Sequence, residues 1–187
     1  MCLFSTLQRT LSEHLFKKIV LTTSSILRLL DSRDHRNGLP MLLDIPSIAS
    51  MTRNLVEAYD VFWYLTVDKI SEDESEFRFA LSSLHHNVEF LKITENLKLE
   101  IDDPTGIWEI ARPHSKRWLE GTALFKALHP KQQAELLKGK RPFFLGNRTP
   151  AKWKYINQDA MRGLYKFMSN NTHTHPVSIN LMIPLKL

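Results

Sequence analysis

The stretch IPSIASMTRNLVEAYDVFWYLTV, residues 45–67, decides how this chain folds. It carries three charged residues, Arg53, Glu57 and Asp60, among Ile48, Met51, Leu55, Val56, Tyr59, Val61, Phe62, Trp63, Tyr64 and Leu65. The apolar residues wrap most of a helical circumference, which predicts a helix from about Pro46 to Val67, central and largely buried. Buried charges cost on the order of several kcal/mol each unless they are paired. The spacing supplies the pairing: Arg53 and Glu57 are four apart, Asp60 lies three beyond Glu57, and Tyr64 completes one polar stripe. Two readings follow, a site in the core of a helical bundle or a structural ion pair that sets helix register.

The flanking sequence is helical in pattern too. Leu3, Phe4, Leu7, Leu11, Leu15, Ile19, Ile26, Leu29 and Leu30 recur at steps of three and four, predicting a long first helix that Thr22–Ser25 could bend. DSRDHRNGLP, residues 31–40, reads as a loop from its Asn-Gly and its proline. A third helix opens at Ser71, where S-E-D-E has the form of a capping box, and runs to about Leu97. DDPTG, residues 102–106, breaks the chain. Shorter helices follow, one from about Arg112 or Ser115 to Leu128 and one opened by Pro130 and closed by Gly139. KRPFFLGNRTP, residues 140–150, is a loop whose two phenylalanines are expected to tuck in, and Asn157 can cap a last helix over 158–169. No alternating strand pattern appears. The prediction is an all-α, antiparallel helical bundle with additional short helices, one domain over 1–187 with 176–187 as a tail.

Composition bounds the class. At 187 residues, 43% hydrophobic and 24% charged, the chain matches an ordinary globular protein. Its longest strongly apolar run, Val61–Leu65, is far short of the ~20 residues that cross a bilayer. MCLFSTLQRTLSEHLFKK lacks a secretion-signal layout, and Cys2, the one cysteine, excludes an internal disulfide. The expectation is a cytoplasmic protein with no membrane contact.

The net charge of +5 hides an asymmetry. Residues 1–109 hold 11 Lys+Arg and 17 Asp+Glu, a balance of −6, whereas residues 110–187 hold 14 and 3, a balance of +11. Trp118, Phe143, Phe144, Trp153, Tyr155 and Tyr165 are interleaved with the basic residues. This is the composition of an RNA-binding surface, with phosphates on Lys/Arg and bases on rings. The alternative is that the basic part folds against the acidic part and the rings are core.

Two histidines, His173 and His175, follow the last helical pattern in MSNNTHTHPVS, residues 168–178. One residue apart in an extended chain, their rings point the same way. That suits general acid–base work near neutrality. A metal would need further ligands, and no cysteine or His-Glu-x-x-His pattern supplies them, so neither metal nor cofactor is expected. The structural reading is helix termination, with Asn170 or Asn171 as a left-handed cap. In the third helix, His85 and His86 diverge by about 100°, so at most one faces inward.

Three stretches, R-N-L-V-E-A-Y at 53–59, F-R-F-A-L-S-S-L at 77–84 and Y-K-F-M-S-N-N-T-H-T-H-P-V-S at 165–178, resemble a family of uncharacterised bacterial all-helical proteins. The resemblance spans most of the chain and rests on Arg-x-x-x-Glu followed by Ser-x-x-x-His. It implies an all-helical fold and a polar cluster shared between the second helix and the region after the last one, and it carries no activity. Where those proteins continue with a further helix, this chain ends in INLMIPLKL, a short helix, a shortened end or a partner-binding tail. A remoter resemblance is to HEPN-type bundles, many of which cleave RNA. Their arginine and histidine, with four to six residues between, match Arg9/His14, Arg28/His35 and Arg78/His85 here.

Two functions are therefore expected. In the first, the chain binds or processes RNA without a metal, as a defence or toxin protein. His173 or His175 is then acid or base, Arg53 steadies a phosphate and Glu57 orients it. In the second, it is a scaffold that binds a protein partner or a second copy of itself, and the Arg53–Glu57–histidine cluster locks the helices. The first requires the cluster to open to solvent.

Overall fold

A computed structural model describes residues 3–31, 44–98, 107–144 and 158–172. Every regular element among them is helical, as the sequence predicts. In chain order they are α1 (Leu3–Asp31), α2 (Ile45–Phe62) with a π-helical turn (Trp63–Val67), α3 (Glu72–Asn96), α4 (Ile107–Gly121), α5 (Ala123–Lys126), α6 (Pro130–Leu136) and α7 (Gln158–Thr172). The breaks predicted at 31–40, 102–106 and 140–150 fall largely or wholly outside the described residues.

The chain divides into two compact units, residues 1–68 with 149–187, and residues 69–148. In the first, α2 packs against both α1 and α7. Asp44 caps α2, its carboxylate accepting from the Ser47 amide at 3.0 Å, and Pro46 sits in the first turn, where its missing N–H costs nothing. Hydrogen bonding from Ser47, from its side chain first and then from its backbone amide, holds the Asp44 carboxyl below its ordinary pKa. The Thr22–Ser25 patch of α1 is absorbed without ending the helix. Thr23 and Ser25 donate to the carbonyls of Ile19 and Leu21, one turn back.

The second unit is built on α3, which packs on α4 and α5. Phe77, Ala80, Leu81, Leu84 and Val88 meet Leu119, Phe125 and Leu136 in one buried cluster, and Phe144 closes edge-on upon Phe77 at 5.8 Å. Ser71 caps α3 through the Glu74 amide, as the sequence implies. The Glu74 carboxylate reaches forward to Arg78, 2.6 Å away and only 1% exposed. Among the described residues, the deeply buried arginine is Arg78.

Four sequence expectations need correction. α2 is not largely buried: only Ala49 and Ala58 are fully covered in it, because α1 and α7 cover two sides while Asn54, Glu57 and Tyr59 face outward. Tyr64 does not continue the stripe as part of the same α-helix. The π-turn, closed by the Asp68 amide on the Trp63 carbonyl, shifts the helical register and Tyr64 is buried. α4 begins at Ile107 with Pro113 inside it, a position that forfeits one backbone bond. Asn87 of α3 meets the Ala111 carbonyl there at 3.2 Å and Ser115 at 2.7 Å. Finally, α7 continues through Thr172, so Asn170 and Asn171 are helical and neither is a left-handed cap.

Gly139 ends the α6 segment with φ +66°, as its position suggests. A Cβ here would lie 2.6 Å from Val88 Cγ2, and the Gly139 carbonyl is 2.8 Å from His85 Nδ1. Gly139→Ala therefore combines left-handed strain with overpacking and should cost about 1–3 kcal/mol, measured by chemical denaturation.

Candidate functional site

The polar residues of α2 and α7 converge in the first unit. Arg53 Nε donates to Glu57 Oε1 at 2.9 Å, one turn along α2. Nη2 donates to the Tyr165 hydroxyl at 3.0 Å and Nη1 to Ser169 Oγ at 3.4 Å, both on α7. Tyr165 completes the ring by donating to Glu57 Oε1 at 3.3 Å. The guanidinium carbon also stands 5.0 Å from the centroid of the Tyr165 ring, within cation–π range. One turn away, Ser50 donates to the Thr172 hydroxyl at 3.4 Å. The spacing explains the convergence: Ser50, Arg53 and Glu57 are three and four apart on one helix, and Tyr165, Ser169 and Thr172 repeat that spacing on the other.

The cluster lies at the surface. The Arg53 side chain is 24% exposed and that of Glu57 50%. The buried pair that the α2 sequence suggests is thus a solvent-accessible pair at the edge of the α2–α7 contact. The hydrogen bond to Glu57 is the largest influence raising the Arg53 pKa above its ordinary value, so the guanidinium stays charged throughout the accessible range. Most of its donors are committed: three nitrogens are engaged by Glu57, Tyr165 and Ser169.

Of the four sequence-derived site residues, Arg53 and Glu57 come together. His173 and His175 lie outside the described residues, as does the expectation that His173 approaches Glu57. The sequence reading missed Tyr165 and Ser169 as partners of Arg53. The signal was present in Y-K-F-M-S, an i,i+4 pair of hydroxyl residues on the last helix.

The arginine–histidine spacings do not form such a site among the described residues. Arg78 is paired with Glu74 and His85 with the Gly139 carbonyl, both inside the second unit. Arg9 pairs with Glu13 on the exposed side of α1. His86 stacks on Phe90 at 6.2 Å and is exposed, so one of the adjacent histidines does face inward and the other does not. No group of three His, Cys, Asp or Glu among the described residues could hold a metal ion.

The second unit carries the basic surface. Arg112, Lys116, Arg117, Lys126, Lys131, Lys138, Lys140 and Arg141 are all exposed on α4–α6 and the segment after them. Glu120 and Glu135 are the acidic residues between 110 and 144. Lys138, through its hydrogen bond first, and then the charges of Arg141 and Lys140, hold the Glu135 carboxyl below its ordinary pKa. Across the unit, residues 69–148 hold 13 Lys+Arg and 12 Asp+Glu, a balance of +1, and the rest of the chain holds 12 and 8, a balance of +4. Within the second unit acidic and basic residues thus nearly balance in number, while its basic helices face solvent. No described helix is long and apolar enough to cross a membrane.

A double-mutant cycle tests the α2–α7 tie. Arg53→Ala and Tyr165→Phe should each lower the melting temperature by a few degrees. The double variant should lower it by less than the sum of the two single effects, since both remove the Arg53–Tyr165 hydrogen bond while the Tyr165–Glu57 bond is lost only with the tyrosine hydroxyl.

No family model, curated protein or solved structure matches the chain.

Proposed function

We propose that this protein binds RNA through the exposed Lys/Arg surface of α4–α6. The observation that supports the reading is that eight basic side chains between 110 and 144 face solvent against two acidic ones. Arg112 and Lys116 share one face of α4 four residues apart, with Arg117 beside them, a spacing that lets one helix contact successive phosphates. Counterion release then supplies most of the affinity and little sequence preference.

Binding is favoured over cleavage for a physical reason. A phosphate-steadying arginine needs free donors, and those of Arg53 are largely taken by Glu57, Tyr165 and Ser169. On this reading the Arg53–Glu57 cluster is a register lock between α2 and α7.

One observation favours a second reading, a scaffold that pairs with another copy or a partner helix. Phe16, Val20, Leu27 and Leu30 of α1 are exposed large apolar residues, and with Thr23 they step by four, three, four and three. That is the spacing of a coiled-coil seam.

The RNA reading is tested by fluorescence anisotropy with a labelled oligoribonucleotide over a salt series. Affinity should fall steeply with salt, log K against log salt sloping by roughly −0.7 per phosphate contacted on a single strand, and Lys116→Ala/Arg117→Ala should flatten that slope. Undetectable binding at low salt, or binding indifferent to salt, overturns it. For the scaffold reading, sedimentation should show an oligomer that Leu27→Glu converts to monomer.

A further inference from the structure

Within the second unit, residues 83–88 of α3 anchor two separate groups of basic side chains. Ser83 Oγ lies 2.9 Å from Ser115 Oγ of α4, and Asn87 donates to that same oxygen at 2.7 Å. Ser115 is buried, yet the residues that follow it, Lys116 and Arg117, are exposed, as is Arg112 one turn back. The neighbouring face of α3 holds the turn after α6. There the Gly139 carbonyl is 2.8 Å from His85 Nδ1, and a Cβ on Gly139 would meet Val88 Cγ2 at 2.6 Å. Lys138, Lys140 and Arg141 flank this glycine and are exposed. Lys138 hydrogen-bonds Glu135, and the charges of Arg141 and Lys140 act on the same carboxylate, so three cations gather around one acid. Close contacts with a single helix therefore fix the backbone beneath both groups.

We infer that these two groups form a two-point clamp on the sugar-phosphate backbone of double-stranded RNA. The inference rests on the RNA reading above and names its substrate class. Two observations favour a duplex over a single strand. First, the separation of the groups is set by α3, and a duplex holds its phosphates at set positions. A flexible strand would have to be ordered to meet both groups, which costs affinity. Second, proteins that grip single strands add stacked bases to phosphate contacts. Among the described side chains of residues 69–148, no phenylalanine or tryptophan ring is exposed. Phe77, Phe79 and Phe125 are buried, Trp118 gives its indole N–H to Glu76 at 3.1 Å, and Phe144 lies edge-on to Phe77. Double-stranded RNA is recognised by shape and by phosphate and 2′-hydroxyl contacts, which need no ring.

The experiment uses the full chain and two labelled probes matched in nucleotide number, a mixed-sequence RNA duplex of about 16 base pairs and an oligouridylate of about 32 nucleotides. With about five phosphates contacted, slopes of roughly −0.9 per phosphate on a duplex (the value for double-stranded DNA) and −0.7 on a single strand open a gap of about tenfold for each tenfold dilution of salt. The duplex should therefore bind about tenfold more tightly at low salt, with the steeper slope. Lys116→Ala/Arg117→Ala and Lys140→Ala/Arg141→Ala each remove one point of the clamp, and each should shrink the duplex-to-oligouridylate ratio severalfold. If oligouridylate binds the parent chain as tightly as the duplex, or if either double variant leaves the ratio unchanged, the clamp is overturned while the RNA reading survives. If neither probe binds at low salt, both fall together. The comparison of the two probes on the unmodified chain needs no variant to fold.

Discussion

The arrangement of the first unit depends on how α2 is covered. A helix apolar around most of its circumference requires more than one neighbour. α1 precedes it directly, whereas α7 returns from about a hundred residues further along the chain. Apolar packing between helices is tolerant of small rotations, so something directional must select the α2–α7 register. The hydrogen bonds of Arg53 to Tyr165 and Ser169, with Ser50 to Thr172 one turn on, are directional. Their exposure weakens each of them but removes the desolvation penalty that a buried arginine would carry.

The second unit solves the same problem in the opposite way. Its tie is inside: Arg78 is almost fully buried on α3, and its charge is met by Glu74 in the first turn of the same helix. The pair is local, so it forms as α3 forms. What it leaves to tertiary packing is the apolar contact of Phe77, Leu81 and Leu84 with Leu119, Phe125 and Leu136. Between α3 and α4, Asn87 and Ser115 add a small buried polar contact beside Pro113. The proline removes an amide from α4, and the Asn87 side chain engages the backbone two residues away.

Placing the strongest basic segment on short, exposed helices has a consequence for ligand choice. Lys and Arg on α4–α6 are solvated, so they exchange water and counterions for phosphate at little cost. Arg53 and Arg78 are unsuited to that exchange because carboxylates already neutralise them. Positive charge available to a polyanion thus lies on the solvated side chains of α4–α6, while the charged pairs Arg53–Glu57 and Arg78–Glu74 on the long helices α2 and α3 serve mainly to hold the structure.

Much of the secondary structure could be read from residues alone because its signals are local. The three-and-four spacing of α1, Ser71 before Glu74, Pro130 at a helix start and Gly139 at a turn each act within one or two turns of chain. The pairing of Arg53 with Glu57 was legible for the same reason, being an i,i+4 contact on one helix. Its exposure was not. Whether a side chain is covered depends on which distant helix lies against it, and the apolar count of α2 does not say that its neighbours leave Glu57 and Tyr59 outside. The same limit hid Tyr165 and Ser169, more than a hundred residues from Arg53, and misassigned the buried arginine to α2 when the packed face belongs to α3. Local periodicity and capping chemistry determined the helices; the long-range burial that decides which charges are sealed, which are shared and which remain open to a ligand came only from their packing.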